Sequence, residues 1–155
     1  MNNLHADILF HHRATLTRTF KTEYQPPTGG TTEQEILKQV PCFSYAVFKK
    51  EDTYWMIASG CTGWEPNEAR MFSAPSIWGP WKELANPFVG ADSETSFHSQ
   101  STYVLPVPGK PDRFIYMGDR WTPENAIDGR YIWLPIRFEG EQPVIEWLDE
   151  WGIEN

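Results

Sequence analysis

From residue 43 onward, apolar residues fall in short clusters separated by Gly, Pro, Asn and Asp, and no stretch carries a helical period. Val, Ile, Tyr, Phe, Trp and Met fill these clusters, which is how short strands between turns are written. Eight strands are predicted: 44–49, 53–59, 69–74 and 80–84, then 101–106, 112–117, 130–136 and 143–147. Lys49-Lys50-Glu51-Asp52 and Pro108-Gly109-Lys110-Pro111-Asp112 read as hairpin connections. Earlier in the chain the pattern is lost. The segment Arg13 to Thr32 is threonine-rich, with Pro26-Pro27 and Gly29-Gly30 in its middle. One short helix is predicted over 32–39, with Thr32 as N-cap, Glu33 and Glu35 in its first turn and Pro41 as its stop.

The two groups of four strands are copies of one unit. Ser44-Tyr45-Ala46-Val47-Phe48 lines up with Ser101-Thr102-Tyr103-Val104-Leu105 at an offset of 57. Trp64-Glu65-Pro66-Asn67 matches Trp121-Thr122-Pro123-Glu124-Asn125 at the same offset, with one residue inserted. Arg70 to Pro75 matches Arg130 to Pro135 at 60, and Pro80 to Leu84 matches Pro143 to Trp147 at 63. The offset grows as loop insertions would make it grow. A four-stranded antiparallel unit repeated at this spacing is the mark of a propeller blade; a sandwich or meander is the alternative. Two blades cannot close a ring, so an apolar face is expected to be left at each end unless another chain supplies the missing blades.

Composition narrows the function classes. The 155 residues are 40% hydrophobic and 22% charged, which suits one packed domain or part of one. No apolar stretch approaches the roughly 20 residues of a membrane span, and Met1 to Arg13 does not read as a secretory signal. A net charge of −8 disfavours a phosphate-binding surface, so neither nucleic acid nor membrane is expected as a partner. Cys42 and Cys61 match no zinc spacing, and no metal or cofactor is expected. Charge also marks a seam. Residues 1–50 hold six Lys and Arg against four Asp and Glu, whereas residues 51–155 hold seven against 17 and all eight tryptophans. Residues 1–45 therefore read as an irregular or disordered extension, and 46–155 as the folded part, with units of about 43–95 and 96–151.

Several motifs resemble glycoside hydrolase family 43. Tyr54-Trp55-Met56-Ile57-Ala58-Ser59-Gly60-Cys61-Thr62-Gly63-Trp64-Glu65-Pro66-Asn67 is similar to one of its blades, and Ser76-Ile77-Trp78-Gly79-Pro80-Trp81 to its recurrent turn before an outer strand. Ser99 to Leu105 followed by Met117-Gly118-Asp119-Arg120-Trp121 resembles the exo-β-1,3-galactanase-like branch. The resemblance spans about residues 46–151. It implies an all-β fold, a partial five-bladed β-propeller made of two four-stranded antiparallel blades cut from the carboxyl-terminal part of a longer parent. It also implies an inverting glycosidase, whose acid and base flank a water, acting on a β-galactan-type carbohydrate outside the cytoplasm. No location is read from this chain itself.

The resemblance also assigns residues. Its general-acid glutamate opens a Glu-Ala-Pro triplet before an Ala-Val-Phe-like run, and here that place is Phe43, ahead of Ala46-Val47-Phe48. Phenylalanine carries no proton to give, so the general acid is absent and the chain is expected to be silent alone; a frame disruption upstream would account for the seam. Gln100, matched to Phe43 by the offset of 57, is implied at the catalytic centre in the base's place. An amide is a poor base, so it would position water or act through a rare tautomer; the plainer role is a strand-end amide bonded to backbone. Thr62 is implied as a contact to the terminal sugar, or else closes a local turn. Trp64 and Trp121 hold matching places and either stack on sugar or pack structurally. Asp119 and Arg120 read as a strand-end ion pair, Glu65, Glu68, Glu94 and Glu124 as solvated charges, Cys61 as a buried thiol, and His98 as a residue that could face the axis. Two other functions stay open: a non-catalytic carbohydrate-binding or interaction module, and a translated gene remnant.

Overall fold

A computed structural model describes residues 38–40, 44–60, 62, 65–122 and 124–153. The helix expected over 32–39 lies outside this range apart from Lys38 and Gln39. The rest is all-β. Nine strands follow in order: β1 (Tyr45–Lys50), β2 (Thr53–Ala58), β3 (Arg70–Ala74), β4 (Lys82–Leu84), β5 (Phe88–Val89), β6 (Gln100–Pro106), β7 (Phe114–Arg120), β8 (Arg130–Glu139) and β9 (Gln142–Glu146). They form two sheets, ordered β1-β2-β3-β4 and β5-β9-β8-β7-β6.

All eight expected strands are present, with shifted ends. β7 starts at Phe114 because Lys110 to Arg113 closes a turn, Arg113 N–H donating to Lys110 O at 3.0 Å. It then runs on to Arg120 because both edges are paired, by β6 and by β8. β5 is not among the expected strands. It is two residues long and adds to the outer edge of β9 in parallel, Phe88 opposite Ile145, too short to show a period. The ladder also refines the repeat: Met71 pairs with Ile57, and its counterpart opposite Met117 is Trp133, so β3 and β8 match at 62 rather than 60. The slip is even, so every side chain keeps its face.

The sheets meet through opposite faces. Ala46, Ile57 and Met71, a row across β1 to β3, point at the second sheet. The facing row is Val104, Tyr116 and Leu134. By the repeat, that second row corresponds to Val47, Met56 and Phe72, which in the first sheet point away and are packed with Val40, Ile77, Trp78 and Trp81. The counterpart of the Ala46 row, Tyr103, Met117 and Trp133, points outward from the second sheet, leaving Trp133 53% exposed beside Tyr131 at 51%. One face of each unit thus receives the other face of its neighbour. Contacts of that kind are heterologous and do not close between two copies. Of the two bare faces expected, the one on the second sheet is open among the described residues; Val40 is fully buried on the other, and Gln39 bonds Trp78 O and Trp81 N–H at 3.0 and 3.2 Å.

Aromatic rings fill the interface, Phe88 lying edge to face 5.2 Å from Phe97 and 5.1 Å from Tyr116, and Phe48 tilted 5.0 Å from Phe114. Tyr116 is completely buried. Ser99 Oγ donates to Ser96 O at 2.6 Å, so the phenol must donate to Ser99 Oγ, 2.9 Å away. Gly118 makes room for this pair, since a Cβ there would come within 2.5 Å of Tyr116 Oη. Burial pushes the Tyr116 phenol far above its ordinary pKa, with the Ser99 bond opposing and the Asp119 charge adding. Because the folded value lies above the unfolded one, this stabilisation is whole below about pH 10 and is lost as pH rises beyond it. Denaturant unfolding measured from pH 7 to 11 should therefore show a falling midpoint at the alkaline end. Tyr116→Phe should blunt that fall while costing about 1 kcal/mol at neutral pH.

Candidate functional site

The antiparallel order sends the candidate residues to one end of the sheets. Ser44 Oγ donates to Ser101 O, so β1 and β6 begin side by side. Ser59 N–H donates to Ser44 O at 2.9 Å, placing the loop after β2 at the same end. The loop after β7 leaves there too, because Gln100 at the start of β6 pairs with Asp119 near the end of β7. Gln100, Thr62 and Trp121 are thereby gathered at one rim. Phe43, Cys61 and Trp64 lie outside the described residues.

Gln100 is half-buried and sits between two backbone irregularities. On its far side Thr102 forms a bulge: Ser101 pairs with Gly118 and Tyr103 with Met117, leaving Thr102 over. Its hydroxyl donates to Met117 O at 2.9 Å and so satisfies a ladder carbonyl. The bulge shifts the repeat by one residue here. In the ladder Gln100 opposite Asp119 corresponds to Ser44 beside Ser59, and not to Phe43 as the offset of 57 implied. A bulge re-aims the side chains beside it, and it explains why the count along the sequence misplaced the match.

On the near side, Ser96, Phe97 and His98 all have left-handed backbones, with φ of 53°, 57° and 56°. Each such residue costs about 1–2 kcal/mol without glycine, so something must hold the turn. Phe97 is buried in the core. Its carbonyl accepts from Arg120 Nε and Nη2 at 3.0 and 2.8 Å, and the same guanidinium lies over the Trp147 ring at 4.8 Å. Arg120, expected to pair with Asp119, is thus directed at this turn. Ser96 Oγ donates to Asn67 O at 2.8 Å, tying the turn to the first sheet. His98, exposed, donates its backbone N–H to Thr95 Oγ1 at 3.3 Å.

Thr62 is exposed and organised by Asn67. The Asn67 carboxamide accepts from Gly60 N–H at 2.6 Å and donates to Thr62 Oγ1 at 2.5 Å and Glu65 O at 3.2 Å. The Thr62 hydroxyl donates in turn to Glu65 O at 3.1 Å. Trp121 is 38% exposed at the rim. Glu65, Glu68, Glu94 and Glu124 are exposed, as read from the sequence. At the same end Arg70 grips Glu83 by two bonds of 2.7 and 3.0 Å and holds its carboxyl below the ordinary carboxylate pKa. Among the described residues no three His, Cys, Asp or Glu side chains converge as metal ligands would.

Sequence reasoning missed Asn67, Arg120's grip on Phe97 and the left-handed turn. Small polar residues crowd Ser93 to Ser101, a composition that favours side-chain bonding to backbone over regular structure, and this was the available signal.

This strand order defines an all-β fold of two packed sheets, and similarity to solved structures gives it a family. No family model matches the chain, and no curated protein does. A family 43 β-1,3-galactosidase solved with galactodeoxynojirimycin is 52% identical with a TM-score of 0.68, over 71% of this chain and 32% of that one. A second family 43 β-1,3-galactosidase is 40% identical with the same TM-score, over 71% of this chain and 23% of that one. The exo-β-1,3-galactanase of Phanerochaete chrysosporium, solved with galactose, is 36% identical with a TM-score of 0.58, over 66% and 23%. Over this matched part the chain belongs to glycoside hydrolase family 43. The chain spans about a third or less of the length of these two β-1,3-galactosidases and this exo-β-1,3-galactanase.

Arg120→Ala should remove both bonds to Phe97 O and the contact with Trp147. The expected loss is about 2 kcal/mol in denaturant unfolding, with faster amide exchange at Phe97 and Ser99, whose N–H groups close the turn.

Proposed function

We propose that this chain carries two blades of a five-bladed propeller and the part of a β-1,3-galactan site that they contribute. The face-to-opposite-face packing supports the propeller reading, because a unit that stacks head to tail builds an arc and then a ring. In this reading the first blade begins with β1 at Tyr45, and of the residues before it Gln39 and Val40 pack against that blade. The bare Tyr103, Met117 and Trp133 face is where a further blade, from another chain, would rest.

The observation that carries the site is Gln100, held at the start of β6 between the bulge and the left-handed turn, where β1 also begins. Gln100 would take the base's place and orient water. Thr62, Trp64 and Trp121 would line the pocket for a terminal galactose, the indoles stacking on its C–H face. With Phe43 at the acid's place, nothing protonates the departing oxygen, and inversion needs an acid and a base on opposite sides of the bond. The chain then binds galactose-type sugar and does not hydrolyse it.

Titration of the full chain with β-1,3-galactobiose should give saturable binding with a dissociation constant on the order of 1 mM. Galactose release from β-1,3-galactan should stay about 10⁴-fold or more below an intact family enzyme. Turnover near that of an intact enzyme would refute the inactive reading. A folded chain that ignores galactobiose would refute the sugar site, and Gln100→Ala should weaken binding several-fold if the amide contacts the ligand.

A further inference from the structure

We infer that Asn67 fixes the Thr62 hydroxyl as a hydrogen-bond acceptor, so that this position takes a hydroxyl that donates and rejects a group that can only accept. The inference rests on the carbohydrate reading above and adds to it the polarity of one contact.

The orientation of the Asn67 carboxamide is not a matter of choice. Gly60 N–H, 2.6 Å away, can only donate, so the atom facing it must be Oδ1. The other end is then the NH₂ group, and its two hydrogens go to Thr62 Oγ1 at 2.5 Å and Glu65 O at 3.2 Å. A threonine hydroxyl has one hydrogen and two lone pairs. The hydrogen points to Glu65 O, 3.1 Å away, and one lone pair receives Asn67. A single lone pair remains, on a side chain that faces solvent at the shared rim of β1 and β6. A ligand meeting Thr62 there must bring its own proton. A sugar hydroxyl can do so; a ring oxygen, a glycosidic oxygen or fluorine cannot.

Asn67 acts through Thr62 and is a positioning residue. The same residue reaches the second sheet, since its carbonyl accepts from buried Ser96, which opens the left-handed turn before Gln100. Glycine at 60 lets the amide come this close, because a Cβ there would lie 2.9 Å from Asn67 Oδ1.

The test is a titration of the full chain with galactose and its monodeoxy and monofluoro analogues, followed by NMR. At one ring position, both removal of the hydroxyl and its replacement by fluorine should weaken binding about tenfold. That penalty should vanish in Thr62→Val, persist in Thr62→Ser, and shrink in Asn67→Ala, while chemical-shift dispersion shows that each variant is folded. A fluorine that restores the affinity lost on deoxygenation would mean that Thr62 donates, and would overturn the inference. A penalty unchanged in Thr62→Val, or no penalty at any position, would overturn it alone. Failure of the wild-type chain to bind galactose would overturn the carbohydrate reading and this inference together.

Discussion

The structure depends on one packing constraint: each sheet buries one face of its pleat against the opposite face of the next. Tyr116, Ile57, Met71 and Ile145 are all but fully buried at that contact. Each such side chain contributes about 1.5–3 kcal/mol on leaving water, so the interface outweighs any single polar contact in the molecule. The same constraint sets the register of both sheets. A slip of one residue would turn Val104 and Tyr116 outward and Tyr103 and Met117 inward, taking apart the close-packed row that faces the first sheet.

That packing carries the site with it. Because β1 and β6 are brought alongside, their starts share a rim, and a hydroxyl at Ser44 can reach the carbonyl of Ser101. Regular strands would then carry their alternation straight to the rim. The bulge at Thr102 breaks it, and the left-handed run Ser96 to His98 bends the chain just before the strand begins. Both departures are costly and both are stabilised from outside their own segment. Arg120 holds the turn, Thr102 caps Met117, and Ser96 reaches across to Asn67. Irregular backbone so heavily supported, with a half-buried amide between the two devices, is how a scaffold aims a side chain.

Much of this was legible in the sequence for a definite reason. Strands buried on alternate faces repeat with period two, and a repeated unit writes that period twice, so eight strands and their pairing partners could be read from residue type and spacing alone. What failed to show was whatever the period does not encode. β5 is two residues long, too short for any period to show. The bulge inserts a residue that composition cannot distinguish from its neighbours, so counting by 57 placed Gln100 against Phe43 when the ladder sets it against Ser44. Arg120 acts through the carbonyl of Phe97 and Asn67 through the groups of its own irregular loop, and contacts of that kind have no signature in a single chain.

Recognition of a sugar and cleavage of its bond make different demands on such a rim. Recognition of a sugar hydroxyl needs only lone pairs and hydrogens at set places, and neutral groups such as Thr62, Asn67 and Gln100 supply these without titrating in the physiological range. Expelling an alkoxide from an acetal carbon needs a proton delivered as the bond breaks, which no amide, hydroxyl or phenyl ring can give near neutral pH. A site built from uncharged polar groups can therefore keep the geometry of a sugar subsite, and the discrimination that goes with it, without the carboxyl that drives the chemistry.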